Sequence, residues 1–203
     1  MLLGIEIGGT KLQLGVGAGD GSPLLELVRF DVVPSHGAEG IRRQIESAAR
    51  PLLKNRSVSR IGIGFGGPVD HQQGVTLTSH QIGGWDGYPL ARWGRDTLGL
   101  PVSLGNDSDL AGLAEARFGA GKGCRVVLYS NVGSGIGGAL VLDGQLYRGA
   151  GGIASEIGHL RPGLHCREAD DTVESLASGW AIAQNVQAKL INPELHSFST
   201  QVF

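Results

Sequence analysis

Residues 1–17 read MLLGIEIGGTKLQLGVG. Leu3, Ile5 and Ile7 alternate with Gly4 and Glu6, the two-residue period of a strand. Gly8, Gly9 and Thr10 break the pattern, and Leu12, Leu14 and Val16 resume it. The segment therefore predicts a hairpin around a glycine turn. That turn offers consecutive N–H groups, the Thr10 hydroxyl and the Lys11 ammonium, a set that suits phosphate oxygens. It lacks the longer loop of a P-loop and the strand–loop–helix context of a dinucleotide fingerprint. Taken alone, an ordinary hairpin turn accounts for it equally well.

Working outward, a third strand is expected over 24–33. Residues 37–54 predict a helix, with Ile41, Ile45, Ala48, Ala49 and Leu52 on one face and Arg42, Arg43 and Glu46 on a solvated one. Pro51 marks a candidate early end. A strand over 60–65 runs into the breaker Gly66-Gly67-Pro68. A helix over 88–98 and a strand over 101–104 follow, and Trp85 and Trp93 read as packing residues. Asn106-Asp107-Ser108-Asp109 opens a helix that Gly119 stops. Residues 125–129 form an apolar run, as in a buried central strand. A strand over 137–142 turns at Asp143-Gly144 into 145–147. A short helix near 153–160 and a helical stretch over 172–190, interrupted by Gly179, complete the pattern; 192–203 has no clear period. The glycine-rich seam at 119–123 divides the chain into an N-terminal α/β domain, 1–118, and a partial C-terminal one, 119–203. Each carries a strand–glycine turn–strand unit, so two such hairpins are expected to face each other across a cleft.

Composition narrows the classes. Glycine supplies 35 of 203 residues, roughly 17% against a usual share of about 7%. These glycines are not a low-complexity tract; they sit between apolar stretches, where they permit tight turns and close approach to a ligand. With 41% hydrophobic and 18% charged residues the chain should fold rather than remain disordered. A formal charge of −2 supplies no bulk attraction to nucleic acid or anionic lipid. No apolar run is long enough to span a membrane, and the first residues lack the pattern of a secretory signal. Two cysteines, Cys124 and Cys166, are too few for a disulfide framework. The expected location is the cytoplasm.

Several clusters admit two readings. Gly133-Ser134-Gly135-Ile136-Gly137-Gly138 is a second glycine turn. A strand rather than a helix follows it, which excludes a Rossmann site; a plain loop and an anion nest both remain open. Asn106 to Asp109 is dense in capping residues, yet four in a row exceed what one cap needs. A carboxylate there, kept ionised by the helix dipole, would accept a proton. Glu156 and His159 lie three apart, on one face if helical; they are either a solvated face or ligands of a metal or a polyol. Glu174 reads as a first-turn acid. His159, His165 and Cys166 make only a weak zinc set.

Taken together, these residues resemble the ROK family, the sugar kinases and related repressors of the hexokinase–actin superfamily. The matching segments are GIEIGGTK (4–11), IGIGFGGPVD (61–70), Gly84-Trp85 with Pro89-Leu90, and Asn106-Asp107, followed by GSGIGG (133–138), DGQLYRG (143–149), EIGH (156–159), and Glu174 with Ala177-Ser178-Gly179. The resemblance implies a two-domain ribonuclease-H-like α/β fold of the actin/hexokinase type, with mixed sheets, a cleft between domains and an incomplete second domain. It implies ATP, Mg²⁺ and a hexose-like sugar as ligands. Asp107 matches the general base; Gly67, Asn106, Glu156, His159 and Glu174 match the sugar-binding positions. Gly8, Gly9, Thr10 and Lys11, with Gly133, Ser134, Gly135 and Gly138, match the phosphate-binding turns. Glu6 stands where many members have Asp near the metal, and would hold Mg²⁺ through water.

Three departures accompany the match. The family's cysteine-rich zinc motif after EIGH is missing, with only Cys166 in the interval, so zinc is not expected. Gln81 stands where a sugar-contacting Asn is common. The chain also ends before the further helices that family members carry. The leading expectation is an ATP-dependent sugar kinase, glucokinase-like, with a small-molecule sugar and a nucleotide as partners, no nucleic acid, no membrane, and a candidate homodimer. The alternatives are a catalytically impaired or truncated sugar-binding protein, and a sugar-sensing transcriptional regulator. With the first strand expected to begin at Leu2, the regulator's N-terminal helix-turn-helix is not expected.

Overall fold

A computed structural model describes residues 1–79, 82–152, 154–163, 166 and 168–191. Gln81, His165 and the stretch 192–203 lie outside the described residues. The chain forms two compact units: Met1–Tyr129 with Ala139–Ala154, and Ser130–Gly138 with Ser155 onward.

In the first unit the expected hairpin is present. Strands β1 (Leu2–Ile7) and β2 (Lys11–Gly17) pair antiparallel, with Ile7 opposite Leu12 and Glu6 opposite Gln13. β3 (Glu26–Asp31) adds antiparallel to β2. On the other side β4 (Arg60–Phe65) and β7 (Val102–Asn106) run parallel to β1. The five-stranded mixed sheet has the order β3-β2-β1-β4-β7. In the chain between β4 and β7 comes a separate small hairpin of β5 (Val69–Asp70) and β6 (Val75–Thr76), which the alternation in the sequence does not announce.

Alternation dictates how this sheet buries its faces. Leu3, Ile5, Ile7, Leu12, Leu14, Ile61, Ile63 and Phe65 point to one face and are at most 2% exposed. Helix α1 (Gly37–Asn55) covers them with Ile41, Ile45, Ala49 and Leu52, beside α2 (Leu90–Leu98). Leaving so much apolar area to water would cost about 25 cal/mol per Å². Pro51 does not end α1, which runs on to Asn55. The residue is exposed and in the last turns, so its missing N–H is lost on the solvent side. Arg42 is not on a solvated face; its guanidinium lies 4.3 Å from the Tyr88 ring centre and 5.8 Å from that of Trp85. Trp85 is a packing residue as expected, 1% exposed and edge-on to Phe65.

On the opposite face β4 and β7 present Gly64 and Gly105 to helix α3 (Asp107–Phe118). A β-carbon on Gly105 would stand 3.1 Å from Leu110, so the missing side chains let α3 lie close.

A three-stranded sheet follows, in the order β10-β9-β8, made of β8 (Val126–Val132), β9 (Ile136–Leu142) and β10 (Gln145–Leu146). Asp143 (φ 48°) and Gly144 (φ 77°) form the expected turn between β9 and β10. β8 is not a buried central strand. It is an end strand of this sheet, and Val126, Leu128 and Val132 are 62–65% exposed. In the second unit the helix expected near 153–160 is only a 3-10 turn, Ile157–His159. Helices α4 (Val173–Ala177) and α5 (Gly179–Ile191) follow. The break falls at Ser178 rather than Gly179: the Ser178 backbone is extended (ψ 162°), and its hydroxyl accepts the Ala181 amide at the start of α5, whose first residue, Gly179, donates to the Gly133 carbonyl at 2.8 Å. Among the described residues no helix is long and apolar enough to cross a membrane.

Candidate active site

Three parallel strands of the first unit end side by side. The register aligns Ile7 with Phe65, and Phe65 with Asn106. The next residue on each strand is therefore Gly8, Gly66 and Asp107. The Gly66 amide donates to the Ile7 carbonyl at 2.8 Å. A β-carbon on Gly66 would lie 3.2 Å from Asp107 Oδ2 and 3.4 Å from the Gly8 α-carbon. The first glycine turn and the Asp107 carboxylate thus share one rim, at the carboxyl ends of parallel strands, where open α/β sheets bind ligands.

The β1–β2 turn is closed by the Gly8 amide donating to the Lys11 carbonyl at 2.9 Å. Gly9 is half-buried, while Thr10 and Lys11 are exposed at its tip. Its base is tied down as well, since the Val32 amide donates to the Thr10 carbonyl.

Asn106 caps α3: its Oδ1 accepts the Asp109 amide at 3.0 Å. Its Nδ2 donates to the Gly67 carbonyl at 3.1 Å, which fastens the 66–68 loop beside the helix. Asp107 is thereby released from capping. Its Oδ1 accepts the Ser108 amide at 2.7 Å, and its Oδ2 points toward Gly66. Burial pushes the Asp107 carboxyl above the usual carboxylate range, opposed by the hydrogen bonds from Ser108. The sequence predicts a carboxylate kept ionised by the helix dipole; burial acts in the opposite direction, toward the neutral form. A carboxylate held nearer to neutrality is a better proton acceptor.

Glu6 lies on the exposed side of β1, directly across from Gln13. Gln13 Nε2 donates to its Oε2 at 2.9 Å, and Arg29 Nε donates to Gln13 Oε1 at 2.6 Å. Arg29, opposite Gln13 on β3, thus orients the amide that steadies Glu6. No group of three or more His, Cys, Asp or Glu side chains suited to a metal occurs among the described residues. A single anchored carboxylate nevertheless suits Mg²⁺, which keeps most of its waters and binds through one or two carboxylates plus phosphate.

The second unit gathers the other expected residues. The Gly133 amide bonds the Gly135 carbonyl at 2.8 Å, which folds the second glycine turn. Gly179 and Trp180, at the start of α5, donate to the Gly133 and Ser134 carbonyls. Glu174 Oε2 accepts the Ile136 amide at 2.7 Å, so this first-turn acid of α4 is bound to the turn itself. A β-carbon on Gly135 would stand 2.5 Å from that oxygen. Glu156 and His159 flank Gly158, which is buried against the Ile136 carbonyl. Both are exposed and belong to a 3-10 turn, so the shared helix face expected for them is absent. Gly138 is a β9 residue beyond the turn. Cys166 carries a free thiol.

A groove of about 550 Å³ between β3 and α1, lined by Val28, Phe30, Ala48 and Pro51 among others, shares no residue with this rim. Sequence reasoning missed Gly66, Ser108, Gln13 and Arg29. Gly66 stood in the quoted motif, but its part depends on strand register.

The sequence profile of the ROK family matches residues 2–202. The chain belongs to the ROK family. Glucokinases from Thermotoga maritima and Streptomyces coelicolor are 32% and 33% identical to it. The first match covers 78% of this chain and 50% of that protein, the second 91% and 58%. A putative fructokinase of Bacillus subtilis is 34% identical, over 90% of this chain and 62% of that one. Among solved structures, the ROK family glucokinase from Streptomyces griseus in complex with glucose and AMPPNP superposes with a TM-score of 0.81 at 34% identity. That alignment covers 95% of this chain and 62% of the other. This ROK chain thus spans about half to three fifths of the length of the curated relatives it matches. Its α/β architecture with mixed sheets is that of the ROK hexokinases and glucokinases.

Proposed function

We propose that this ROK protein serves ATP-dependent phosphorylation of a hexose-like sugar, with Asp107 as general base. The observation that carries the reading is the rim on which Asp107 Oδ2 and Gly66 stand beside the Gly8 turn. Phosphoryl transfer asks the protein chiefly for positioning and charge stabilisation, and such a rim supplies both. Asp107 takes the proton from the attacking sugar hydroxyl. Asn106 and the Gly67 loop it fastens orient the sugar, and Glu156, His159 and Glu174 bind further hydroxyls. Gly8, Gly9, Thr10 and Lys11 hold phosphate oxygens through amides, a hydroxyl and an ammonium; the Gly133, Ser134 and Gly135 turn offers backbone amides of the same kind. Glu6 would hold Mg²⁺, which when bound offsets charge on the phosphate oxygens. The named relatives support a sugar kinase, and the solved glucokinase with its nucleotide analogue supports ATP. Zinc has no part in this reading, and metal analysis of the purified chain should find less than one zinc per molecule.

The test is a coupled ADP-release assay over common hexoses and amino sugars. Turnover with at least one sugar is expected. A folded sample that binds glucose without releasing ADP would leave only the sugar-binding alternative.

A further inference from the structure

A clamp lies next to Asp107 that the reading above does not use. After β10 the chain makes a closed loop: the Ala154 amide donates to the Arg148 carbonyl at 3.1 Å. Gly149, at φ 65°, turns this loop, and a β-carbon there would only touch Ala154. The Arg148 side chain leaves the loop for the first turn of α3, where its Nε lies 3.4 Å from Asp109 Oδ2. The two side chains are 28% and 16% exposed, which sets them apart from the open ion pairs along α1. Asp109 is also the residue whose amide Asn106 caps.

Two carboxylates therefore occupy one helix end, two positions apart. The charges that face Asp109 are Arg148 from the loop, His71 from the turn after β5, and Asp107 on its own helix. Burial pushes the Asp109 carboxyl up; Arg148 and His71 oppose this, and Asp107 adds to it. A helix terminus contributes only about half a positive charge, too little for two carboxylates. A guanidinium stays protonated at every pH at which a carboxyl titrates.

We propose that Arg148 is a positioning residue for the site: its ion pair with Asp109 pins the start of the loop after β10 to the first turn of α3 and compensates the second carboxylate there, so that Asp107 works beside a charge-paired neighbour. This rests on the reading of Asp107 as the base. Interacting carboxylates titrate as a pair, so uncovering one makes the other harder to ionise.

The experiment is a ¹³C-carboxyl NMR titration of Asp107 in the full chain, with the melting temperature recorded on the same samples. Arg148→Gln is expected to move the Asp107 midpoint to higher pH, and Asp109→Asn to lower pH. The double variant should return it close to its starting value, and Arg148→Lys should leave it little changed. If Arg148→Gln melts earlier yet leaves the midpoint in place, the pair is only a structural staple and the proposal fails. If Arg148→Gln does not fold, Asp109→Asn decides: an unmoved midpoint overturns the proposal. Turnover that survives Asp107→Asn would overturn the base reading and with it the role given to Arg148. Because the titration needs no turnover, that failure is told apart from a failure of the pair itself.

Discussion

Gly66 sits against Asp107 so closely that a β-carbon would come within 3.2 Å of the Asp107 Oδ2 atom and equally near the Ile7 carbonyl. Gly66→Ala therefore presses on both the carboxylate and the backbone below the first glycine turn. We expect turnover to fall by about tenfold or more, since small misplacements at a reacting centre are costly. The stability loss should stay within about 1–3 kcal/mol. Steady-state rates and thermal melting on one preparation check this; an unchanged rate would remove Gly66 from the site.

Replacing Asp107 by Asn keeps its size but removes proton acceptance. General-base assistance is worth about 10²–10⁴-fold, and the loss should appear in kcat with sugar affinity kept within about tenfold. The helix keeps its cap, because Asn106 provides it. Unchanged turnover would refute the assignment, and isothermal titration with the sugar separates binding from chemistry.

Asp107 also fixes a sign in the pH dependence. Burial raises its folded-state pKa above the unfolded value. Its stabilising contribution is then complete below the unfolded value and is lost as pH rises through the folded one. Relative to wild type, Asp107→Asn should gain in melting temperature from acid toward neutral pH. Catalysis runs the other way, because the base must be ionised. The acid limb of the rate profile should begin above the usual carboxylate range. A limb at the ordinary value would contradict the burial effect.

Asn106 has two separable tasks. Asn106→Asp retains the oxygen that caps the Asp109 amide but not the Nδ2 donor to the Gly67 carbonyl. It should melt near wild type and bind sugar more weakly. Asn106→Ala loses both contacts, and loss of the cap alone costs about 0.5–2 kcal/mol. Equal melting of the two variants would show that the cap contributes nothing.

Two glycines should respond very unequally to the same substitution. A β-carbon on Gly179 would stand 2.5 Å from the Gly133 carbonyl oxygen, which is backbone and cannot swing aside. Gly179→Ala should cost about 1–3 kcal/mol. Gly62, in β4, has nothing within 4 Å of such a carbon. Gly62→Ala should change stability by no more than about 0.5 kcal/mol. Denaturant melts of both variants test the contrast.

What the sequence by itself determined was whatever repeats within a few residues. The alternation around Gly8 and Gly9 specified the β1–β2 hairpin. The apolar spacing from Ile41 to Leu52 specified α1, and Asn106 announced the start of α3. Each depends on strand or helix period or on a local cap, so neighbours along the chain suffice. Tertiary structure decided the rest. Only the parallel register of β1, β4 and β7 sets Gly8, Gly66 and Asp107 in one row. Only the fold shows that Asn106 takes the cap, that burial pushes the Asp107 carboxyl up, and that Arg148 returns to Asp109. The apolar run of β8 read as a central strand because composition reports hydrophobicity, whereas burial depends on what packs against it. These contacts join residues up to 58 positions apart, and a local pattern carries no information about which distant segment the folded chain brings back to meet it.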